Sequence, residues 1–185
     1  MAEIAALWRR IDTPGHDACR VVDGPSGHRL EGVAVFRQDG VPGVLRYGVT
    51  ADDDWQSRQG FVRGWIGDRA VDYLVVRGDA GVWRLNGTRV SGLDDCVDLD
   101  LGFTPATNLL CLRRMGLTIG QSAEAESAWL DVTGGTLEGL SQRYERRAPE
   151  LYWYEAPRFD YAALLEVAPS GLVRHYPGLW EMESS

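Results

Sequence analysis

Thr104-Pro105-Ala106-Thr107-Asn108-Leu109-Leu110-Cys111-Leu112-Arg113-Arg114-Met115-Gly116 breaks a chain that otherwise reads as strand after strand. Thr-Pro is a helix-start signal: threonine suits the cap, and a proline in the first turn loses nothing by lacking an N–H. Leu109, Leu110, Leu112 and Met115 fall on one apolar face, and Gly116 supplies a C-terminal cap. The spacing predicts one short helix at about 105–114.

The preceding residues, Asp94-Asp95-Cys96-Val97-Asp98-Leu99-Asp100, place acids just ahead of this apolar segment, and Arg113-Arg114 closes it. Charge beside a buried segment is costly unless paired. Asp98, Asp100, Asn108, Arg113 and Arg114 are therefore read as one constellation. It is either an internal ion-pair network that pins the helix or a set of forks and amides that grips a polar head group.

Upstream, residues 18–23, 28–38, 44–50, 55–66 and 71–77 read as strands. They are punctuated by Gly24-Pro25-Ser26-Gly27, Asp39-Gly40, Asp52-Asp53-Asp54, Gly67-Asp68 and Gly78-Asp79-Ala80-Gly81. Val82–Leu85 and Thr88–Val90 form a tight hairpin about Asn86-Gly87. Downstream, 123–133, 151–154, 159–167 and, as a terminal strand, 172–176 also read as strands, after which Pro177-Gly178 turns into Leu179-Trp180-Glu181-Met182. Residues 137–147 are ambiguous: Leu137, Leu140 and Tyr144 fit a helix and alternate poorly. Turn signals recur every 8–13 residues or so, which implies an antiparallel all-β sandwich or barrel rather than β-α-β units.

At 185 residues the chain is read as a single domain, 1–185. Its net charge of −8 argues against nucleic acid as a partner and against simple electrostatic docking on an anionic membrane. All 19 basic residues are arginine, which removes lysine-based covalent and phosphate-loop chemistry. Three cysteines, Cys19, Cys96 and Cys111, lie at no metal-ligand spacing and are read as reduced, packed thiols. No secretion signal and no transmembrane run is legible, so the expected location is the cytoplasm.

Tryptophan and tyrosine each occur 7 times. Trp55, Trp65, Trp83, Trp129, Tyr152, Trp153, Tyr154, Tyr161 and Tyr176 are either core fillers of a curved sheet or a surface for sugar rings and acyl chains. Ser26 and His28 share a turn and make no nucleophile elbow. Asp52-Asp53-Asp54 lacks the spacing of a calcium loop. No catalytic residue, metal or cofactor is expected.

Trp83 with Asn86-Gly87, Leu93 through Leu101, Thr104 through Asn108 and Leu112-Arg113-Arg114-Met115 together resemble a glycolipid-binding family of bacterial proteins. Trp8-Arg9-Arg10, Arg46-Tyr47 with Trp55 and Arg58, Gln142, Tyr144, and Gly171-Leu172-Val173 through Tyr176-Pro177-Gly178-Leu179 match further landmarks. One departure is Asn108-Leu109-Leu110-Cys111, where the family usually has Asn-Thr-Leu-Pro. The resemblance implies a mainly β fold, a many-stranded antiparallel sheet curled as a spiral β-roll or open barrel around one helix. That fold is similar to bacterial carriers of lipoproteins, and strand is favoured for 137–147.

The resemblance also implies a non-enzymatic binder or carrier of a glycolipid or fatty amphiphile in the concave face. Asp98, Asp100, Asn108, Arg113, Arg114, Trp83, Tyr154 and Tyr176 are the candidate ligand-binding or ion-pair residues. Two alternatives stand beside it. One is a hydrolase using Asp98 and Asp100 as paired carboxylates; the other is an interaction module, such as a homodimer built on a sheet edge.

Overall fold

A computed structural model describes residues 3–183 of the chain. The strands are β1 (Glu3–Arg10), β2 (Gly15–Gly24), β3 (Gly27–Gln38), β4 (Val41–Ala51), β5 (Ser57–Ile66), β6 (Arg69–Arg77), β7 (Trp83–Leu85), β8 (Thr88–Arg89) and β9 (Asp98–Asp100). One helix, α1 (Asn108–Met115), follows. The chain continues through β10 (Ser122–Asp131), β11 (Thr136–Ala148), β12 (Leu151–Ala156), a 3₁₀ turn (Pro157–Phe159), β13 (Tyr161–Val167), β14 (Val173–Tyr176) and β15 (Trp180–Met182).

All of these strands join one sheet, in the order β8-β7-β6-β5-β4-β3-β2-β1-β15-β14-β13-β12-β11-β10-β9. The chain starts at the middle and walks outward to β8 through hairpins. It then jumps to the far edge as β9 and walks back until β15 pairs with β1, Arg9 opposite Glu181. The turn residues explain the hairpins. Asp39-Gly40 and Asn86-Gly87 have φ of 50°, 83°, 49° and 83°, the left-handed pair that a two-residue hairpin requires.

The expected antiparallel pattern holds with one exception. β9 and β10 run parallel, Leu99 opposite Ala128. A parallel pair needs a crossover of a dozen or more residues, and α1 lies within it. The helix is thus the device that lets the chain re-enter its own sheet.

The sheet is curled but not closed. Edge strand β9 meets the start of β5: the Ser57 N–H donates to the Val97 carbonyl at 3.2 Å, and the Leu99 N–H donates to Ser57 Oγ at 2.9 Å. Trp83 donates its indole N–H to the Cys96 carbonyl at 3.0 Å. The concave side is filled by Leu99, Leu101, Leu109, Leu110, Leu130 and Leu140 together with Trp8, Trp83, Tyr47 and Tyr144, all under 2 % exposed. An eight-residue helix is marginal on its own, so burial of Asn108 through Leu112 holds it in place.

The helix begins later than the sequence predicts. Thr107, not Thr104, is the cap residue, and it makes no side-chain cap bond. Bonds from Asn108, Leu109 and Leu110 N–H to the carbonyls of Pro105, Ala106 and Thr107 tighten the entry. The Thr104 hydroxyl is drawn inward to Asp17 and also accepts the Ala106 N–H. Gly116 ends the helix as expected, with φ 55°. Residues 137–147 lie within strand β11. Phe159 belongs to the 3₁₀ turn rather than to β13. No helix among the described residues is long and apolar enough to cross a membrane.

Candidate functional site

Asp98 and Asp100 are two apart in β9 and so project to the same side of the strand. Asp98 is fully buried, and Arg114 forks onto it: Nε at 3.0 and 3.1 Å, Nη2 at 2.6 Å. The Cys111 thiol donates to the same carboxylate at 3.1 Å. Burial and that neighbouring charge hold the thiol well above its usual range, so Cys111 is a packed group and not a thiolate nucleophile.

Arg113 does not join this pair. Consecutive helical residues are turned about 100° apart, so only one of two adjacent arginines can face Asp98. Arg113 donates instead to the Ser170 carbonyl at 2.6 Å and lies 5.7 Å from the Trp55 ring. Arg114 thus pairs with an upstream aspartate, whereas Arg113 bonds a loop carbonyl.

Asp100 turns toward a cleft. Its Oδ1 accepts the Gly102 N–H at 2.7 Å and its Oδ2 accepts from Gln142 at 2.8 Å. Burial raises its carboxyl above the ordinary aspartate value, and Asp98 adds to the rise. Gly102 has φ 34°, and a Cβ there would sit 2.4 Å from Trp129 Nε1. A side chain at 102 would therefore push the indole out of the cleft wall.

Gln142 is the hub. Its amide oxygen accepts from Ser127 Oγ at 3.0 Å, while its nitrogen donates to Asp100 and to the Tyr154 hydroxyl at 2.9 Å. Ser127 lies 3.7 Å from Cys111 Sγ. Polar contacts thus run from Arg114 through Asp98, Cys111, Ser127 and Gln142 to Asp100 at the cleft, the thiol–hydroxyl step being a packing contact because both protons are already donated elsewhere.

The cleft has a volume of about 340 Å³. Asp100, Thr104, Pro105 and Asn108 form its polar end, and Leu140, Tyr154, Tyr176 and Trp180 its buried wall. Trp129, Tyr161 and Leu179 are half-buried at its sides, and Phe159 is 49 % exposed at its mouth. Asn108 donates its amide to the Tyr144 hydroxyl at 2.8 Å. Tyr154, Tyr161 and Tyr176 form a cluster with ring centroids 5.3 to 6.1 Å apart.

Of the predicted residues, Asp100, Asn108, Tyr154 and Tyr176 thus meet at one cleft. Asp98 and Arg114 stand behind it as the buried pair. Arg113 lines a separate surface depression with Arg146 and Tyr152, and Trp83 packs against Cys96. Asp98 and Asp100 do not face each other across the cleft, whose lining holds a single carboxylate among the described residues. Ser26 is exposed. His28 Nδ1 donates to the Asp23 carboxylate at 2.7 Å, and its ring stacks on Trp55 at 3.6 Å.

A second buried carboxylate lies behind Thr104. Asp17 on β2 accepts from the Tyr47 hydroxyl at 2.8 Å and from Thr104. Burial raises its carboxyl from 3.8 to about 6, against those two hydrogen bonds. The folded protein therefore holds this proton more tightly than the unfolded chain does. That contribution is present below pH 3.8 and is lost as pH rises to about 6. Between those limits wild type should lose about 3 kcal/mol relative to Asp17→Asn, as read from urea unfolding at stepped pH. Parallel pH profiles for the two proteins would contradict this.

Asp17 lies just outside the strand expected at 18–23, and sequence reasoning misses it; its one signal is the alternation of β2, in which Asp17, Cys19 and Val21 face inward. Trp180 and Phe159 carried no sequence signal beyond being aromatic.

A family model described as "Putative glycolipid-binding" matches residues 5–182. No curated protein matches the sequence. Among solved structures, the crystal structure of a DUF1089 family protein from Pseudomonas aeruginosa has the same fold, with a TM-score of 0.72 at 25 % identity. The alignment covers 98 % of this chain and 92 % of that one.

Proposed function

The chain belongs to the family described as "Putative glycolipid-binding", and from that membership we propose that it binds the polar head of an amphiphile, a glycolipid, in the cleft at the start of α1. The carrying observation is the lining itself: one carboxylate and one amide at the floor, with aromatic rings around them. Ring faces pack against the C–H surface of a sugar, while Asp100 and Asn108 accept and donate to its hydroxyls. The volume lies at the small end of known ligand pockets, which suits a head group rather than a whole lipid.

The filled concave face directs the acyl chain outward. It would leave past Phe159 and Leu179 instead of entering the roll. Arg114 and Asp98 act at one remove, by fixing the helix and, through the packed Cys111 and Ser127 side chains, Gln142. A binder fits better than a hydrolase, because paired-carboxylate chemistry needs two acids at the scissile bond and Asp98 is buried and forked by Arg114. Three buried free thiols suit a reducing compartment, and this reading places the protein in the cytoplasm.

Native mass spectrometry with short-chain alkyl glycosides and glycolipids tests this. One-to-one complexes are expected with wild type, and weaker ones with Trp129→Ala. Absence of any complex across the panel would overturn the reading.

A further inference from the structure

We infer that the head group carries a positively charged amine, as in an amino-sugar amphiphile, with its ammonium against Asp100 and beside the rings of Tyr154, Tyr161 and Tyr176. This rests on the cleft being the binding site.

Asp100 is the cleft's sole charge, and no cationic side chain pairs with it among the described residues. Its two hydrogen bonds come from neutral donors, a backbone N–H and an amide. The arginines that reach the same wall are committed elsewhere. Arg158 lies over Trp129 at 4.9 Å and pairs with Glu138 at 2.6 Å; Arg10 lies over Trp180 at 5.2 Å and pairs with Asp12 at 2.5 Å. Asp100 is half-buried and faces the cleft without a cation, and a bound ammonium that excluded water from it would neutralise it.

The tyrosines supply the rest. Gln142 donates to the Tyr154 hydroxyl, Tyr161 donates to the Pro177 carbonyl at 2.6 Å, and the Tyr176 ring packs edge-on to that of Tyr154. With the Tyr154 and Tyr161 hydroxyls engaged inside the protein, the cluster offers a ligand mainly ring surface. Clustered rings around one carboxylate recognise a cation through the ring quadrupole. Phosphate or sulfate heads are disfavoured, because the lining holds no positive side chain and would set their charge against Asp100.

Isothermal titration near neutral pH should compare n-octyl β-glucoside, n-octyl β-glucosaminide and its N-acetylated form, each below its micelle concentration. The glucosaminide should bind about tenfold or more tighter than both neutral glycosides, the margin of a charge-assisted over a neutral hydrogen bond. Asp100→Asn, checked for an unchanged circular dichroism spectrum, should erase that margin, so that the variant binds the glucosaminide no tighter than it binds the neutral glycosides. Equal binding of all three glycosides by wild type would overturn the amine assignment and leave the cleft as a neutral-sugar site. Absence of binding by all three would overturn the cleft reading and this inference together.

Discussion

Replacing Arg114 with alanine is expected to destabilise the protein by about 3–5 kcal/mol, because it strands a buried carboxylate. Asp98 is fully enclosed, and Arg114 supplies three of its contacts, with the Cys111 thiol the remaining side-chain donor. Lysine should recover only part of the loss, since a point charge cannot reproduce the fork. Asp98→Asn combined with Arg114→Ala should cost less than the sum of the two single changes, by about 1–3 kcal/mol of coupling. Arg113→Ala should cost far less, since Arg113 is exposed and bonds a loop carbonyl. Urea unfolding of the five variants measures all of this. Equal losses for Arg113 and Arg114 would show that the two arginines work as a pair after all.

Trp8→Ala is the second large effect, at about 3–5 kcal/mol. Trp8 is fully buried at the seam where the first strand meets the last, and its indole N–H donates to the Val173 carbonyl at 2.6 Å. Trp8→Phe keeps most of the ring and leaves that carbonyl without its donor, so about 1–3 kcal/mol is expected. Trp65, 43 % exposed on β5, is the control, with a change within about 0.5 kcal/mol on truncation. Thermal or urea unfolding distinguishes them. A Trp8 variant as stable as the Trp65 variant would mean that the β1–β15 seam contributes little to folding.

These residues also show what the sequence carried. The hairpins were legible because Asp39-Gly40 and Asn86-Gly87 encode their backbone angles locally. The single helix was legible because its apolar face and Gly116 are local too. Strand β11 was masked by Gln142. Counting apolar residues alone gives Leu137, Leu140 and Tyr144, a helical spacing, whereas Leu140, Gln142 and Tyr144 face inward in alternation. Its inward glutamine serves Asp100 and Tyr154, a tertiary demand with no local signature.

The parallel β9–β10 pair was illegible for a related reason: β9 has three residues, and its partner lies beyond the helix. Of the site, the composition of the Asp-Arg motif pointed to buried charge; in the structure Asp98 is buried and Arg114 forks onto it. Which arginine turns inward depends on helix phase. Where the cleft opens depends on Gly102, Trp129 and the 3₁₀ turn at Pro157–Phe159, which only the curl of the sheet brings together.

The seven tryptophans are placed to report where a ligand sits. In ¹H–¹⁵N spectra of the indole groups, titration with n-octyl β-glucoside should shift the Trp129 and Trp180 signals, which line the cleft, and leave Trp8 and Trp83 in place. Shifts confined to Trp55, beside Arg113 at the other end of the helix, or to none of the seven, would contradict a binding cleft at the start of α1.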